Sequence, residues 1–235
     1  MSGPAPRVVL FDFVGTLARV RGGVGRAYAR YAAEAGVDAD AAALELGFRA
    51  AFAAEAALPS DAGEARAAWL RIIAGSFEAA GRAKAGRWLG PGLYEWFATA
   101  RPWQLYPDAR STLAALRAAG VQTGVVSNFD DRLTRVLAAL GLDALLDTVT
   151  LPAEVGAAKP DPAIFRAAVT RHGAAPEQVW MVGDSEAEDV AGARAAGLRG
   201  IRLDRAALPG AGDGDVVATL SELAAQVAAP PGGAG

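Results

Sequence analysis

Short apolar segments alternate with amphipathic segments of helical length from about residue 100 onward, and this alternation limits the possible folds most strongly. The predicted strands cover residues 7–12, 121–127, 147–151, 178–183 and 199–203. The predicted helices cover residues 108–119, 130–140, 162–172, 187–196 and 219–228. Strands and helices that alternate form a parallel sheet, because right-handed crossovers carry each helix over a face of the sheet. The sequence therefore predicts an α/β fold with a Rossmann-like parallel sheet and helices on both faces.

The segment from residue 20 to residue 99 interrupts this alternation. It is rich in Ala, Leu and Arg, carries aromatic residues at helical spacings and shows no strand pattern. We expect several amphipathic helices there, with breaks near Gly36-Val37, Pro59-Ser60 and Gly90-Pro91-Gly92. The segment is therefore predicted to be a helical domain inserted after the first strand.

Three tryptophans of this insert, Trp69, Trp88 and Trp96, are expected to pack in its core. The C-terminal sequence APPGGAG lacks the apolar residues that a packed core needs. The predicted organisation is an α/β core of residues 1–19 and 100–228, a helical cap of residues 20–99 and a disordered tail of residues 229–235.

The charge and the rare residue types exclude several functions. The net charge of −3 gives no support for binding to nucleic acid or to an anionic membrane. The chain contains no Cys, which excludes disulfides, zinc–thiolate sites and thiol nucleophiles. Its single histidine, His172, excludes a two-histidine metal site and is expected at the surface. No signal peptide or long apolar segment is recognisable, so we expect a cytoplasmic protein.

Several predicted strands end in polar residues that can take part in catalysis. The first strand ends in Asp12, the second in Ser127-Asn128 and the fourth in Asp184. Lys159, one of only two lysines in the chain, lies just before a predicted helix. Ligands of open parallel sheets bind beyond the carboxyl ends of the strands, so we expect these residues to meet at one edge.

Carboxylates that meet at this edge repel one another unless they are protonated or bridged by a cation. Asp189, five residues after Asp184, can return towards the strand end through one helical turn. Oxygen ligands without His or Cys favour Mg²⁺, and Mg²⁺ beside a hydroxyl, a lysine and helix N-termini is typical of a phosphate site. Asp12 would then be free to act as a nucleophile. We interpret Glu186 and Glu188 as residues that favour a helix N-terminus.

Four stretches stand in order along the chain: DFVGT at 12–16, VVSN at 125–128, KPDP at 159–162 and GDSEAED at 183–189. Their order and spacing resemble the four motifs of the haloacid dehalogenase-like (HAD) hydrolases, over almost the whole chain. The helical insert is similar to the C1 cap of this family. The stretches WQLYPDARSTL and SNFDDRL are most similar to the subgroup of haloacid dehalogenase-like hydrolase domain-containing protein 3.

This resemblance implies a Mg²⁺-dependent, phosphatase-type hydrolase that acts on a small phosphorylated metabolite, as a monomer or a homodimer. Asp12 would form an aspartyl-phosphate, Ser127 and Asn128 would bind the phosphoryl group, and Lys159 would hold nucleophile and phosphate together. Thr16 would steady the loop after the nucleophile. The implied Mg²⁺ ligands are Asp12, the main-chain carbonyl of Val14 and Asp184, with Asp189 in support.

The chain departs from this family at Val14, where its phosphatases usually carry a second Asp. That acid protonates the leaving oxygen and later deprotonates the attacking water. General acid–base catalysis contributes about 10²–10⁴-fold, so its loss raises the barrier by about 3–5 kcal/mol. We therefore expect slow turnover that requires a good leaving group, such as that of an acyl or aryl phosphate.

Three other functions stay open. A HAD-fold binding or scaffold protein with little or no turnover is the first, because Val14 cannot transfer protons. A 2-haloacid dehalogenase is the second; these enzymes also lack the second acid, but they need no metal and carry a different fourth motif. A phosphonatase-like hydrolase is the third, with Lys84 as its only candidate Schiff-base lysine, although we expect that side chain to face solvent. Arg19, Arg21 and Arg26 lie near the predicted hinge and could contact an anionic substrate.

Overall fold

The computed structural model describes residues 5–55, 59–208, 210 and 214–228. The predicted disordered tail, residues 229–235, lies outside these residues. The contacts group the chain into two compact units. The first unit comprises Met1–Ala18, Leu105–Phe129 and Leu140–Gly235, and the second comprises Arg19–Gln104 and Asp130–Ala139. The predicted boundaries placed only residues 20–99 in the inserted domain, whereas the second unit also contains residues 130–139.

The described residues form eight strands. They are Val8–Phe11 (β1), Ala18–Val20 (β2), Trp103–Leu105 (β3), Gln122–Val126 (β4), Thr148–Thr150 (β5), Val179–Gly183 (β6), Arg199–Leu203 (β7) and Val216–Val217 (β8). Six strands form one sheet in the order β5-β4-β1-β6-β7-β8, and each neighbouring pair is parallel. This confirms the predicted α/β fold. The short strands β2, β3 and β8 were not predicted, because two or three residues carry no readable periodicity.

The described residues also form ten α-helices. They are Val24–Glu34 (α1), Ala41–Ala54 (α2), Ala62–Ala79 (α3), Ala83–Trp96 (α4), Ala109–Ala118 (α5), Arg132–Ala139 (α6), Pro152–Val155 (α7), Pro162–His172 (α8), Gly192–Ala195 (α9) and Leu220–Ala228 (α10). Two 3₁₀ turns cover Asp143–Leu145 and Pro176–Gln178, and a π-helical segment covers Glu186–Ala191. Within the described part of the chain, each helix is too short or too polar to traverse a bilayer.

The centre of the sheet is formed by β1 and β6, whose side chains are buried on both faces. Phe11 of β1 lies level with Val125 of β4 and Val182 of β6. Strands covered on both faces are apolar without alternation, which explains the continuous apolar sequence of β1. Helix α8 contributes Ile164 and Phe165 to a core cluster that also contains Leu10 of β1 and Met181 of β6, and burying a side chain of this size contributes about 1.5–3 kcal/mol. This packing fixes the carboxyl ends of the central strands.

The second unit has a core of its own, formed mainly by α1 to α4. Tyr28, Phe77 and Leu93 are buried there, and the rings of Tyr28 and Phe77 stack with their centroids 6.1 Å apart. Helices α2 and α3 begin after Asp40 and Asp61, whose carboxylates accept hydrogen bonds from main-chain amides of the first turn. Each such cap stabilises the helix by about 1 kcal/mol.

Two predictions for α4 are wrong. Trp88 is 58% exposed, whereas Trp96 is buried and Trp69 is partly buried in the core of this unit. The predicted break at Pro91 is absent, because α4 continues through it. Trp88, Pro91 and Arg87 all lie on the exposed side of the helix, so water can bond to the Arg87 carbonyl that proline leaves without a donor. The other two predicted breaks fall between helices.

The prediction of a surface position for His172 is also wrong. This residue ends α8 and is buried against the sheet, with 8% of its surface exposed. Its Nε2 lies 2.7 Å from Thr148 Oγ1 and its Nδ1 lies 3.2 Å from Gln122 Oε1. Burial lowers the pKa of His172, and the nearby carboxylate of Asp147 opposes this effect only in part. The ring therefore acts as a neutral packing residue.

Candidate active site

The predicted strand-end residues meet at one edge of the six-stranded sheet. Asp12 follows β1, Ser127 and Asn128 follow β4, and Asp184 follows β6. Because β1 lies between β4 and β6, the three strand ends are neighbours. The amide of Asp12 donates to the carbonyl of Val182 at 2.9 Å, which continues the ladder of β1 and β6 by one residue. The main chain of Asp12 is thus held as firmly as the strand itself.

Lys159 is the centre of this cluster. Its Nζ donates hydrogen bonds to Asp12 Oδ1 at 2.7 Å and to Asp189 Oδ1 at 2.6 Å, and only 2% of its side chain is exposed. Burial alone would lower the pKa of Lys159, but the carboxylates of Asp12 and Asp189 outweigh burial and raise that pKa. The ammonium is therefore charged at neutral pH and holds two carboxylates from distant parts of the chain.

Asn128 fixes the main chain of Lys159. The Lys159 amide donates to Asn128 Oδ1 at 2.7 Å, and Asn128 Nδ2 donates to the Lys159 carbonyl at 2.9 Å. The hydroxyl of the preceding residue, Ser127, donates to Asp12 Oδ1 at 3.3 Å. Oδ1 of Asp12 thus accepts two hydrogen bonds, while no described residue donates to its Oδ2. That oxygen is available for a ligand or a substrate.

Asp184 packs directly over the loop that follows Asp12, the predicted nucleophile. After that prediction we call residues 13–17 the nucleophile loop. A Cβ atom at Gly15 would lie 2.2 Å from Asp184 Oδ2, and Gly15 has φ of 95°, so both space and backbone conformation require glycine here. Burial, with a further contribution from the nearby carboxylate of Asp12, raises the pKa of Asp184.

Asp189 returns to the site through the π-helical segment. The amides of Asp189 and Val190 both donate to the Ser185 carbonyl, at 3.0 and 3.3 Å. The Ser185 amide in turn donates to Asp189 Oδ2 at 3.0 Å. A Cβ atom at Gly183 would lie 2.1 Å from Asp189 Cγ, so glycine is needed there as well. Burial raises the pKa of Asp189 to about 6, against the lowering effect of Lys159.

The chemistry of this cluster fits a divalent cation. One carboxylate oxygen from each of Asp12, Asp184 and Asp189 lies within 4.8 Å of the others. Three carboxylates and the single ammonium of Lys159 leave two negative charges unbalanced when all are ionised. All the donors are hard oxygen atoms, which favours Mg²⁺ over a soft metal.

The nucleophile loop is tightly folded but leaves Val14 accessible. The Gly15 amide donates to the Ala18 carbonyl at 2.8 Å, and the Leu17 amide donates to the Phe13 carbonyl at 3.0 Å. Val14 is 42% exposed. The Thr16 hydroxyl is buried and has no hydrogen-bond partner among the described residues.

Two residues at this edge were not predicted to contribute. Glu188, interpreted from sequence as a helix-terminus residue, accepts a hydrogen bond from Asn128 Nδ2 at 3.2 Å. Arg205 donates from Nη2 to the Thr16 carbonyl at 2.8 Å. Arg205 lies two residues after β7, so the strand-end rule that identified Asp12 could also have indicated it. The candidate residues of the second unit are all exposed: Arg19, Arg21, Arg26 and Lys84.

Comparisons with known proteins agree with this geometry. A family model described as haloacid dehalogenase-like hydrolase matches residues 6–197. A haloacid dehalogenase-like hydrolase domain-containing protein 3 from Danio rerio is 34% identical over 206 residues, which cover 85% of each chain. A phosphoserine phosphatase from Thermus thermophilus is 38% identical over 153 residues, covering 62% of this chain and 60% of the relative. A crystal structure of a dehalogenase with an intermediate complex has a TM-score of 0.71 and 26% identity, covering 97% of this chain and 100% of the other.

Proposed function

Because the chain belongs to the haloacid dehalogenase-like hydrolase family, we propose that it is a Mg²⁺-dependent phosphohydrolase that forms an aspartyl-phosphate on Asp12. The observation that supports this most is the buried ammonium of Lys159 bonded to both Asp12 and Asp189, with the Asp184 carboxylate beside them. The similarity to a phosphoserine phosphatase adds support for a phosphate ester as substrate.

The residues divide into those that hold the metal and those that hold the phosphate. Asp12, the main-chain carbonyl of Val14 and Asp184 are the proposed Mg²⁺ ligands. Both oxygens of Asp189 already accept hydrogen bonds, from Lys159 and from Ser185, which suits a supporting position. When bound, Mg²⁺ neutralises the negative charge that substrate and carboxylates would otherwise share. Ser127 and Lys159 offer a hydroxyl and an ammonium to the phosphoryl oxygens.

In the first step, Asp12 Oδ2 attacks phosphorus, and the bond from phosphorus to the leaving oxygen breaks. Lys159 and Ser127 hold Oδ1 of the same carboxylate, so that Oδ2 is directed towards the substrate. The ammonium of Lys159 also stabilises the charge on the transferring group. A leaving oxygen that needs a proton takes it from solvent, because Val14 cannot supply one.

In the second step, water attacks phosphorus of the aspartyl-phosphate, inorganic phosphate leaves, and the Asp12 carboxylate is restored. This step also lacks the acid–base partner that an aspartate at Val14 would provide. Its absence costs about 3–5 kcal/mol of barrier. A good leaving group offsets the missing acid in the first step only, so we propose small acyl or aryl phosphates as the substrates and slow hydrolysis of the intermediate that they form.

The test measures phosphate release from acetyl phosphate and p-nitrophenyl phosphate, with Mg²⁺ and with EDTA. We expect release that requires Mg²⁺ and disappears in the D12N variant. Acid quenching of the wild type should trap phosphate covalently on Asp12, detected by mass spectrometry of the peptide. If neither turnover nor the covalent adduct is found, the protein is better described as a binding or scaffold protein of the same fold.

A second candidate is a 2-haloacid dehalogenase, which the similarity to a dehalogenase structure favours. In that reaction the Asp12 carboxylate attacks carbon and a halide leaves; water then hydrolyses the ester on Asp12 and releases the hydroxy acid. A halide needs no proton, so Val14 would be no handicap in the first of these steps. The Asp184 carboxylate argues against this function, because without a cation it only repels Asp12. Chloride release from 2-chloropropionate in EDTA would favour the dehalogenase over the phosphatase.

A further inference from the structure

The nucleophile loop is bonded by a side chain from a distant part of the chain. Arg205, two residues after β7, donates from Nη2 to the Thr16 carbonyl at 2.8 Å. The hydroxyl of Thr16 is buried without a hydrogen-bond partner among the described residues. The carbonyl is therefore the atom through which Thr16 is anchored. Val14, whose own carbonyl is a proposed Mg²⁺ ligand, is only two residues away.

Arg205 is itself held in one orientation. Its two terminal nitrogens each lie 3.2 Å from an oxygen of Asp108, and its guanidinium lies 3.6 Å from the centroid of the Tyr106 ring. Asp108 Oδ2 also accepts the Leu220 amide at 2.9 Å. A planar fork stacked on a ring and paired with a carboxylate has little freedom left, and lysine cannot reproduce this geometry.

The segment that carries Tyr106 supports the same loop independently. The Tyr106 amide donates to the Leu17 carbonyl at 3.0 Å. Two consecutive carbonyls of the nucleophile loop thus accept hydrogen bonds. The Thr16 carbonyl accepts from Arg205, and the Leu17 carbonyl accepts from Tyr106, on which Arg205 stacks. The Asp108 carboxylate does not cap α5 through its side chain. Its hydrogen bonds hold Arg205 in place instead.

Arg205 and Tyr106 also lie next to Asp184, one of the three carboxylates of the candidate site. A cavity of about 300 Å³ is lined by Gly15, Tyr106, Asp184 and Arg205, together with residues of the β7 end. Arg205 and Gly15 of the nucleophile loop therefore line the same space next to Asp184. The side chain of Arg205 is partly buried, so its bond to the loop is less weakened by solvent than a surface contact.

We propose that Arg205 is a positioning residue, which fixes the main chain of the nucleophile loop so that Val14 can present its carbonyl to Mg²⁺. The part that concerns Mg²⁺ rests on the proposed function. The part that concerns the order of the loop does not.

The test compares R205K with R202K in the full-length protein. Arg202 is a matched control, because it lines the same cavity but pairs with Asp204. Two quantities are measured: the Mg²⁺ concentration that gives half of the Mg²⁺-induced shift in melting temperature, and the hydrogen exchange of amides in residues 13–18. We expect R205K to raise that concentration by about 10-fold, as for other residues that orient metal ligands. Exchange at 13–18 should also become faster in R205K, while exchange in β6 stays unchanged.

R202K should leave both quantities within about twofold of the wild type, since Arg202 pairs with Asp204 and no hydrogen bond among the described residues joins its side chain to the nucleophile loop. The inference is overturned if R205K matches the wild type in exchange at 13–18, or if R202K changes it equally. If the wild type shows no response to Mg²⁺, the proposed function fails, and the exchange experiment still decides the role of Arg205. D108N, which removes the partner of the guanidinium, is the second variant if R205K does not fold; it should show the same faster exchange.

Discussion

The two units each bury one cation beside carboxylates, and the two clusters differ in their charge balance. In the first unit Lys159 faces Asp12 and Asp189, which come from distant parts of the chain and stand beside a third carboxylate. In the second unit Arg132 pairs with Asp130, only two residues away, through two hydrogen bonds of 2.8 and 2.6 Å. The first cluster carries excess negative charge, and the second is neutral as a pair.

In the second cluster, further groups surround the guanidinium of Arg132. Arg132 Nη1 donates to the Tyr94 carbonyl at 2.9 Å, and its guanidinium lies 3.7 Å from the centroid of the Tyr94 ring. The same guanidinium lies 5.3 Å from the centroid of the Trp69 ring. A cation with a matching carboxylate, a carbonyl and aromatic rings stabilises a fold, whereas a cation outnumbered by carboxylates leaves a site that attracts another cation.

The largest expected effect is on activity, which should depend on the Lys159 cluster and not on the Arg132 cluster. D12N keeps the shape of the side chain but removes the proposed nucleophile, so phosphate release should fall by about 10⁴-fold or more. D130N makes the same chemical change in the neutral pair. It should lower the melting temperature while phosphate release per folded molecule stays within a few-fold. Comparable loss of activity in both variants would contradict the division into a reactive and a structural cluster.

The next effect is on the free energy of unfolding, and its response to Mg²⁺ should differ between the two clusters. R132M leaves the Asp130 carboxylate buried without its partner and should cost about 3–5 kcal/mol in the free energy of unfolding. K159M should cost a similar amount without Mg²⁺, but Mg²⁺ should restore part of that loss, because a bound cation offsets the repulsion between the carboxylates. Urea unfolding with and without Mg²⁺ measures both, with the exposed Lys84 changed to Met as the control. A Mg²⁺-dependent rescue of R132M would show that the clusters are not distinct.

A third change adds a negative charge beside the Lys159 cluster, which already carries excess negative charge. V14D places an acid two residues after the proposed nucleophile, on a side chain position that is well exposed. We expect phosphate release from p-nitrophenyl phosphate to rise by about 10²-fold, or about 3 kcal/mol of barrier, at saturating Mg²⁺. V14N, which has the same shape but no acid, is the control. An equal rate in V14D and the wild type would mean that proton transfer does not limit this site.

The smallest effect concerns a buried titratable group that is hydrogen-bonded to no carboxylate. His172 bonds to Thr148 and Gln122, and burial lowers its pKa. The unfolded chain therefore binds a proton near pH 6.5 that the folded chain binds only at lower pH, so stability should fall as pH drops below about 6.5. H172Q should flatten this part of the profile, measured by urea unfolding from pH 5 to pH 8. An unchanged pH profile in H172Q would assign the acid sensitivity to other groups.

Much of the fold could be predicted because its signals are local or follow one general rule. Helix α8 begins at Pro162 and ends at His172 as predicted, since a proline and a glycine mark its ends in the sequence. The meeting of Asp12, Lys159 and Asp184 followed from the position of ligand sites at the carboxyl ends of parallel strands.

The remaining features depend on packing between distant residues. Which side of the Ala-rich helix α4 is buried depends on its neighbours, so Trp88 could not be assigned from its own segment. The same holds for His172, whose partners come from β4 and β5. The strand-end rule could have indicated Arg205 but not its partner: the contact with Thr16 joins residues 189 positions apart, and no periodic pattern in the sequence encodes it.

The grouping of α6 with the helical unit has a consequence for any exchange of caps between relatives. The chain passes from one unit to the other four times, after residues 18, 104, 129 and 139. A graft that carries only the long insert would separate Arg132 from the rings of Trp69 and Tyr94 that it contacts. Chimeras should therefore transplant residues 130–139 together with 19–104, and a chimera with the shorter graft should melt earlier than the longer one.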